Sequence, residues 1–153
     1  MKIRFVMNQA TIAELQKNLV WVQKAVVIAS TEAVDEIGAL VLARAKAATP
    51  VRTSALYSSA FIEMEANYDK VIAHVGYGGK YNKLNPETLK WSDSYAVEVH
   101  ESKARSDQSR KFGATWKFLE KALNSVKPDY DTLLAFYIKE ALQFTGNIRI
   151  SRK

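Results

Sequence analysis

Cysteine is absent from the chain, which excludes disulfides and thiolate metal sites and suits a reducing compartment. Long apolar runs are missing too. None approaches the roughly 18 consecutive apolar residues of a membrane-spanning helix, so no membrane association is expected. The N-terminal stretch "MKIRFVMNQA" alternates charged and apolar side chains and lacks the apolar core of a signal peptide. Histidine occurs only twice, at His74 and His100, which leaves little material for imidazole chemistry. Apolar residues make up 48% and charged residues 25% of the 153, the mixture of an ordinary globular protein. Such a length predicts one domain, residues 1–153, burying about two thirds of the unfolded chain's surface.

Positive charge exceeds negative by six, and its placement is informative. Lys103, Arg105, Arg110 and Lys111 crowd the segment "KARSDQSRK" against Asp107, and Arg149, Arg152 and Lys153 close the chain. These seven basic residues and one acid account for the whole excess. The remainder is balanced. Two short basic segments predict local contact with an acidic partner or with DNA rather than a general nucleic-acid-binding surface.

Hydrophobic spacing gives the elements. Ile3 and Phe5 alternate with Lys2 and Arg4, a short strand pattern. Ile12, Leu15, Leu19, Val22 and Val26 then recur at the 3–4 spacing of a helix face, with Thr11 as candidate N-cap. Val34, Ile37, Val41, Ala45 and Ala48 form a second stripe. Ser30 and Thr31 between them predict a break or kink. Pro50 stops this helical segment and pushes Thr49 towards extended geometry. Phe61, Glu63 and Glu65 alternate with Ile62, Met64 and Ala66. After a turn at "NYD", Val71, Ala73, Val75 and Tyr77 alternate with Ile72, His74 and Gly76, which predicts a hairpin with one buried face.

Residues 76–94 carry Gly, Asn, Pro and Ser and predict a long loop. "YAVEVHES" predicts a third strand, with Tyr95, Val97 and Val99 on one face and Glu98 and His100 on the other. The basic segment 103–111 has no periodicity and predicts an exposed loop. Trp116, Leu119, Ala122, Leu123 and Val126 share a helical stripe. Beyond Pro128, Leu134, Tyr137, Ile138, Ala141 and Leu142 give the cleanest helix pattern in the chain, with Asp129 and Asp131 favourably placed against its dipole. Gly146 closes it, and "NIRIS" alternates as a last strand. The expected class is α+β: a small antiparallel sheet packed against a long N-terminal helical segment and C-terminal helices.

Catalytic constellations are thin. The two histidines lack converging carboxylates at metal-ligand spacing, and both are expected to point to solvent from strand faces. Glu63 and Glu65 share a strand face at a spacing near that of paired glycosidase carboxylates, yet alternating acids on a solvated strand are far commoner. "GYGGK" lacks the spacing of a phosphate-binding loop and no helix start follows it. No GxSxG elbow exists. A non-enzyme with no cofactor and no metal is therefore expected.

Pro50, Thr53, Leu56 and Ser59 form a turn between helix and strand. Tyr95, Ala96, Val99 and Glu101, with His100, follow in "YAVEVHE", and Phe118, Leu119 and Ala122 fall in "WKFLEKAL". In their order and spacing, over about residues 31–125, these resemble the tail-completion or neck protein family of long-tailed bacteriophages, also described as minor capsid or head-proximal tail components. Ser54 departs from the glycine usual at that turn. The segment after Glu101 is longer and more basic than the family pattern, and residues 129–151 add a helix and a strand beyond it. The resemblance implies a structural virion protein of viral assembly. It would form a homo-oligomeric ring, six-fold or a multiple of it, that joins head and tail, contacting connector and tail proteins. Its place would be the virion neck, with assembly in the host cytoplasm.

Under that reading Arg52, Thr53 and Ser54 in the corner, and Tyr81, Leu84 and Trp91 in the long loop, are the candidate subunit or partner contacts. The corner equally serves as a plain helix-to-strand reversal, and Trp91 equally folds under its own loop. Lys103, Arg105, Arg110, Lys111, Arg149, Arg152 and Lys153 would face an acidic partner or DNA in the lumen. The rival class is a small basic nucleic-acid-binding protein. Aromatic residues are not interleaved with its basic clusters as stacking on single strands requires. Lacking a long contiguous exposed apolar patch in its sequence pattern, the free chain is expected to be monomeric or weakly associated.

Overall fold

The computed structural model of the protein describes residues 9–50, 54–67, 69–102 and 113–146. The expected strands at Ile3–Phe5 and "NIRIS", and the whole basic segment 103–111, lie outside these residues. The fold is mixed α and β, dominated by helix. It comprises α1 (Gln9–Ala48), α2 (Ser54–Ser58), the hairpin β1 (Ala60–Ala66) and β2 (Val71–Tyr77), α3 (Asp93–Glu101), α4 (Phe118–Val126) and α5 (Tyr130–Gly146).

Helix α1 is one helix of 40 residues, about 60 Å long, and the expected division at Ser30–Thr31 does not occur. Thr31 shows why. Its hydroxyl donates to the Val27 carbonyl one turn back at 2.8 Å, an interaction that satisfies the side chain inside a continuing helix instead of capping a new one. Thr11 likewise sits within α1, which already begins at Gln9, so it is not the N-cap. Pro50 acts as expected: α1 ends at Ala48, and Thr49 and Pro50 are both buried at the corner.

The hairpin forms as its alternation predicts, with Ile62 opposite Val75 and Met64 opposite Ala73. Its turn is fixed by Asn67, whose Oδ1 accepts from the Asp69 and Lys70 amides at 3.0 Å each, the local bonding that makes asparagine a turn residue. The face bearing Ile62 and Ala73 lies on α1 at Gly38, where a Cβ would collide with the Ile62 side chain. Gly38 is thus the notch that lets helix and sheet approach.

"YAVEVHE" is helix, not strand. Tyr95, Ala96 and Val99 pack against the core at helical spacing, whereas Val97 is 74% exposed. Among the described residues the sheet consequently has two strands, and the Tyr95–Glu101 part of the family resemblance is helical here. In α4 the buried stripe is Phe118, Ala122 and Val126; Trp116 precedes the helix and Leu123 faces outward. These three join Ile37, Val41 and Ala45 of α1 and Leu56 of α2 in one core, to which Val75, Tyr77 and Leu133 add their side chains. Leu56 therefore enters the core from a short helix rather than from a plain turn between helix and strand.

Helix α5 runs antiparallel along α1. Asp129 lies beside Arg44 (3.9 Å), and further along Tyr137 donates its hydroxyl to Glu36 Oε2 at 2.6 Å. A groove of about 560 Å³ opens between the two helices near Trp21, Ile28 and Phe136. The expectation that no contiguous apolar surface is exposed fails on α1. Ile12, Leu15, Leu19 and Val22 are all exposed, so the first stripe forms on the helix without being covered by the described chain.

Candidate functional site

The segment 78–92 carries three of the expected contact residues, and its backbone is tightly determined. Gly78 has a φ of 91°, and a Cβ there would stand 2.7 Å from Asp93 Cβ. Only glycine fits both the positive dihedral and the approach of α3. Its amide donates to Ser59 O at 3.0 Å, which ties the loop to the corner after α2. One turn of 3-10 helix, Gly79–Tyr81, follows.

Two buried polar side chains then organise the rest. Ser92 is fully buried; its hydroxyl donates to Asn82 Oδ1 at 2.6 Å and accepts from the Lys83 amide at 3.0 Å. The same Asn82 oxygen accepts the Asp93 amide at 3.0 Å, one of the orphan donors of the first turn of α3. Asn85 accepts the Glu87 amide on its Oδ1 at 2.9 Å, and its carbonyl accepts the Leu89 amide at 2.8 Å. Leu84 and Trp91 pair as an isolated antiparallel bridge across the base of this turn. Buried polar groups are satisfied here, so the loop has a defined shape.

What the loop presents to solvent is apolar. Trp91 is 54% exposed and Leu89 74%, and Leu84 and Tyr81 are exposed as well. About half of the Trp91 surface therefore stays in water. Tyr81 stacks on Phe61 with ring centroids 5.2 Å apart, which holds the phenol ring at the edge of the hairpin. Lys80 pairs with Glu63 and lies over the Tyr81 ring. An ordered loop that keeps large apolar side chains in water is the composition of an interface centre with a polar rim.

The other expected contacts divide. Ser54 opens α2 and is exposed. Arg52 and Thr53 lie outside the described residues, as do Lys103, Arg105, Arg110, Lys111, Arg149, Arg152 and Lys153.

Glu63 and Glu65 do share a solvent-facing strand surface, and each is engaged by cations. Lys80 pairs with Glu63, while Lys70 and His74 approach Glu65 at 3.1 and 3.7 Å. Among the described residues, no group of three or more His, Asp or Glu side chains could hold a metal ion. His74 faces solvent as expected. His100 does not: its side chain is mostly buried, its ring meets Phe118 edge-on with centroids 4.9 Å apart, and Nδ1 lies 2.6 Å from Glu101 Oε1. Its placement follows from α3 being a helix, which the strand reading could not foresee.

Sequence reasoning also missed Leu89. Its exposure depends on a left-handed backbone (φ 56°) in the middle of the Asn85 turn, a conformation rare for leucine and invisible to hydrophobic spacing. Comparison with family models, with curated proteins and with solved structures finds no match.

Proposed function

We propose that the protein is a structural assembly component that works through protein–protein contact, and specifically a tail-completion or neck protein of a long-tailed bacteriophage. The observation that carries the contact role is the loop 78–92, which is pinned by Ser92, Asn82 and Asn85 while Tyr81, Leu84, Leu89 and Trp91 stand in solvent. The neck assignment draws its support from the sequence resemblance around Pro50, Leu56, Ser59 and Phe118. Leu56, Ser59 and Phe118 all occupy buried positions, as residues that shape a scaffold do. In a ring the loop of one copy meets a different surface of the next, a head-to-tail contact that closes by rotation. The basic segments at 103–111 and 149–153 then face DNA in the lumen or an acidic neighbour, where repetition around the ring sums their field.

Deleting the gene from its phage and imaging the lysate tests this reading. Filled heads and separate tails are expected, with joined particles restored by the gene in trans and the protein detected at the neck by labelling. Normal particles without the protein overturn it. So does nanomolar, sequence-selective binding of nucleic acid by the isolated chain at physiological salt, because a lone subunit with so few phosphate contacts binds non-specifically at about 10⁻⁴ to 10⁻⁶ M.

A further inference from the structure

The exposed stripe on α1 has a stricter period than an amphipathic helix needs. Ile12, Leu15, Leu19, Val22 and Val26 alternate spacings of three and four, the a and d positions of a heptad repeat. The same spacing continues into Ala29 and Ala33, which are 2% and 0% exposed. One seam therefore runs along α1 and changes state midway. From Ala29 onward the chain's own body covers it. From Gln9 to Val22 its large side chains are exposed, with Leu19 at 68%. The span from Gln9 to Val26 is about 27 Å of helix, which is enough for a pair of complete heptads.

We infer that this bare half of α1 pairs with the same half of a second copy of the chain, antiparallel and about a two-fold axis midway between Leu15 and Leu19. Two features select that occupant. The residues flanking the seam at the e and g positions are Gln16, Asn18, Gln23 and Ala25, and none is charged. Charge at these positions is what repels identical helices or specifies a different partner. Glu14, Lys17 and Lys24 occupy c and f positions, away from the contact. Identical chains therefore meet without like-charge repulsion.

Geometry selects the direction. The body of each chain sits on the seam side of α1 beyond Ala29, so a parallel partner would bring two bodies into the same space. An antiparallel partner places each body past the other's N-terminal turn. Ile12 then lies opposite Val22, and Leu15 opposite Leu19, so that a positions layer against d positions. Such a contact is isologous and does not depend on the neck reading.

Because the chain lacks cysteine, introduced thiols report on this contact alone. Sedimentation of the full chain at micromolar concentration is expected to show a dimer. Leu19→Glu, at an exposed position, is expected to raise the dissociation constant at least about thirtyfold, as loss of a central anchor does, with the circular dichroism spectrum unchanged. Under mild oxidation, Leu15→Cys is expected to cross-link to Leu19→Cys on the other chain, and Ile12→Cys to Val22→Cys on the other chain but not to another Ile12→Cys. A monomer at these concentrations overturns the inference, as does an oligomer that Leu19→Glu leaves intact. Self-linking of Ile12→Cys without the mixed product overturns it as well.

Discussion

Thr49 Oγ1 and the Tyr77 hydroxyl lie 2.5 Å apart, joining the last turn of α1 to the end of β2 beneath the core. Thr49 is fully buried and also donates to the Ala45 carbonyl at 2.7 Å, so Tyr77 supplies the donor when Thr49 accepts. The Tyr77 ring meets Phe118 edge-on at 5.2 Å. Through these two residues the helix stop at Pro50, the hairpin and α4 are fixed relative to one another.

Burial pushes the Tyr77 phenol up to about 12 from its ordinary value of 10.0, opposed in part by the hydrogen bond that the Thr49 hydroxyl can turn to give the phenolate. A raised folded value means that the fold holds its proton more tightly than the unfolded chain. The stabilisation is fully present below the unfolded value and is lost as pH climbs through the folded one. Urea midpoints followed from neutral pH into this alkaline window are expected to show an extra loss of roughly 2 kcal/mol in the wild type. Tyr77→Phe is expected to lack that loss and to cost about 0.5–1.5 kcal/mol at neutral pH. Parallel curves for the two proteins would show that the phenol is not held neutral by burial.

Gly78 and Gly79 look alike in sequence and differ in the fold. Both have positive φ, but a Cβ at Gly78 meets Asp93 at 2.7 Å while one at Gly79 meets nothing within 4 Å. Gly79→Ala therefore bears only backbone strain, about 1 kcal/mol. Gly78→Ala adds displacement of α3, and a total of about 2–4 kcal/mol is expected. Thermal unfolding should rank the two variants in that order, and equal midpoints would mean that α3 yields without cost.

The long elements were legible because their patterns repeat. Helix α1, the hairpin and α5 each carry enough periods that hydrophobic spacing and one punctuating residue (Pro50, Asn67 or Pro128) settle their type. Helix α3 was not. Over the few residues of "YAVEVH", Tyr95, Val97 and Val99 satisfy a strand period as well as Tyr95, Ala96 and Val99 satisfy a helical one, and the β-branched valines favour the former. The outcome is decided by the core of α1, α2 and α4 residues against which Tyr95, Ala96 and Val99 pack, which is assembled from far away in sequence. The bare half of α1 was hidden for a related reason: spacing marks which residues share a face and not whether anything lies against it. At the loop, Tyr81, Leu84 and Trp91 could be singled out by residue type, whereas the Ser92–Asn82 and Asn85 bonds that make it rigid needed the fold.

His74 and His100 should respond differently to alanine. His74 extends from the hairpin into solvent beside Glu65, and His74→Ala is expected to alter stability by no more than about 0.5 kcal/mol. The His100 ring fills space against Phe118, and its removal leaves a gap beside the largest fully buried side chain. A loss of about 1–3 kcal/mol is expected. Chemical denaturation of the two variants decides the matter, and a neutral His100→Ala would show that the core closes over the vacancy.

The loop 78–92 permits a sharper separation between stability and assembly. Trp91 and Leu84 are held by backbone bonds and a β-bridge while their side chains remain exposed. Each side chain keeps about half of its surface in water, so replacing either with serine is expected to lower the unfolding free energy of the isolated chain by only about 1 kcal/mol. In an interface the same residues are central, and truncating such an anchor costs about 2 kcal/mol or more per contact. Under the proposed neck function that loss is repeated at every contact around the ring, and a Leu84→Ser, Trp91→Ser double variant is then expected to abolish joining of heads to tails. Ser92→Ala supplies the opposite case. It breaks the buried Asn82 bond and is expected to lower stability by about 1–3 kcal/mol through the loop's own framework. Measuring thermal midpoints and particle yield on the same three proteins separates the effects. A double variant that is stable and still assembles would remove this loop from the interface.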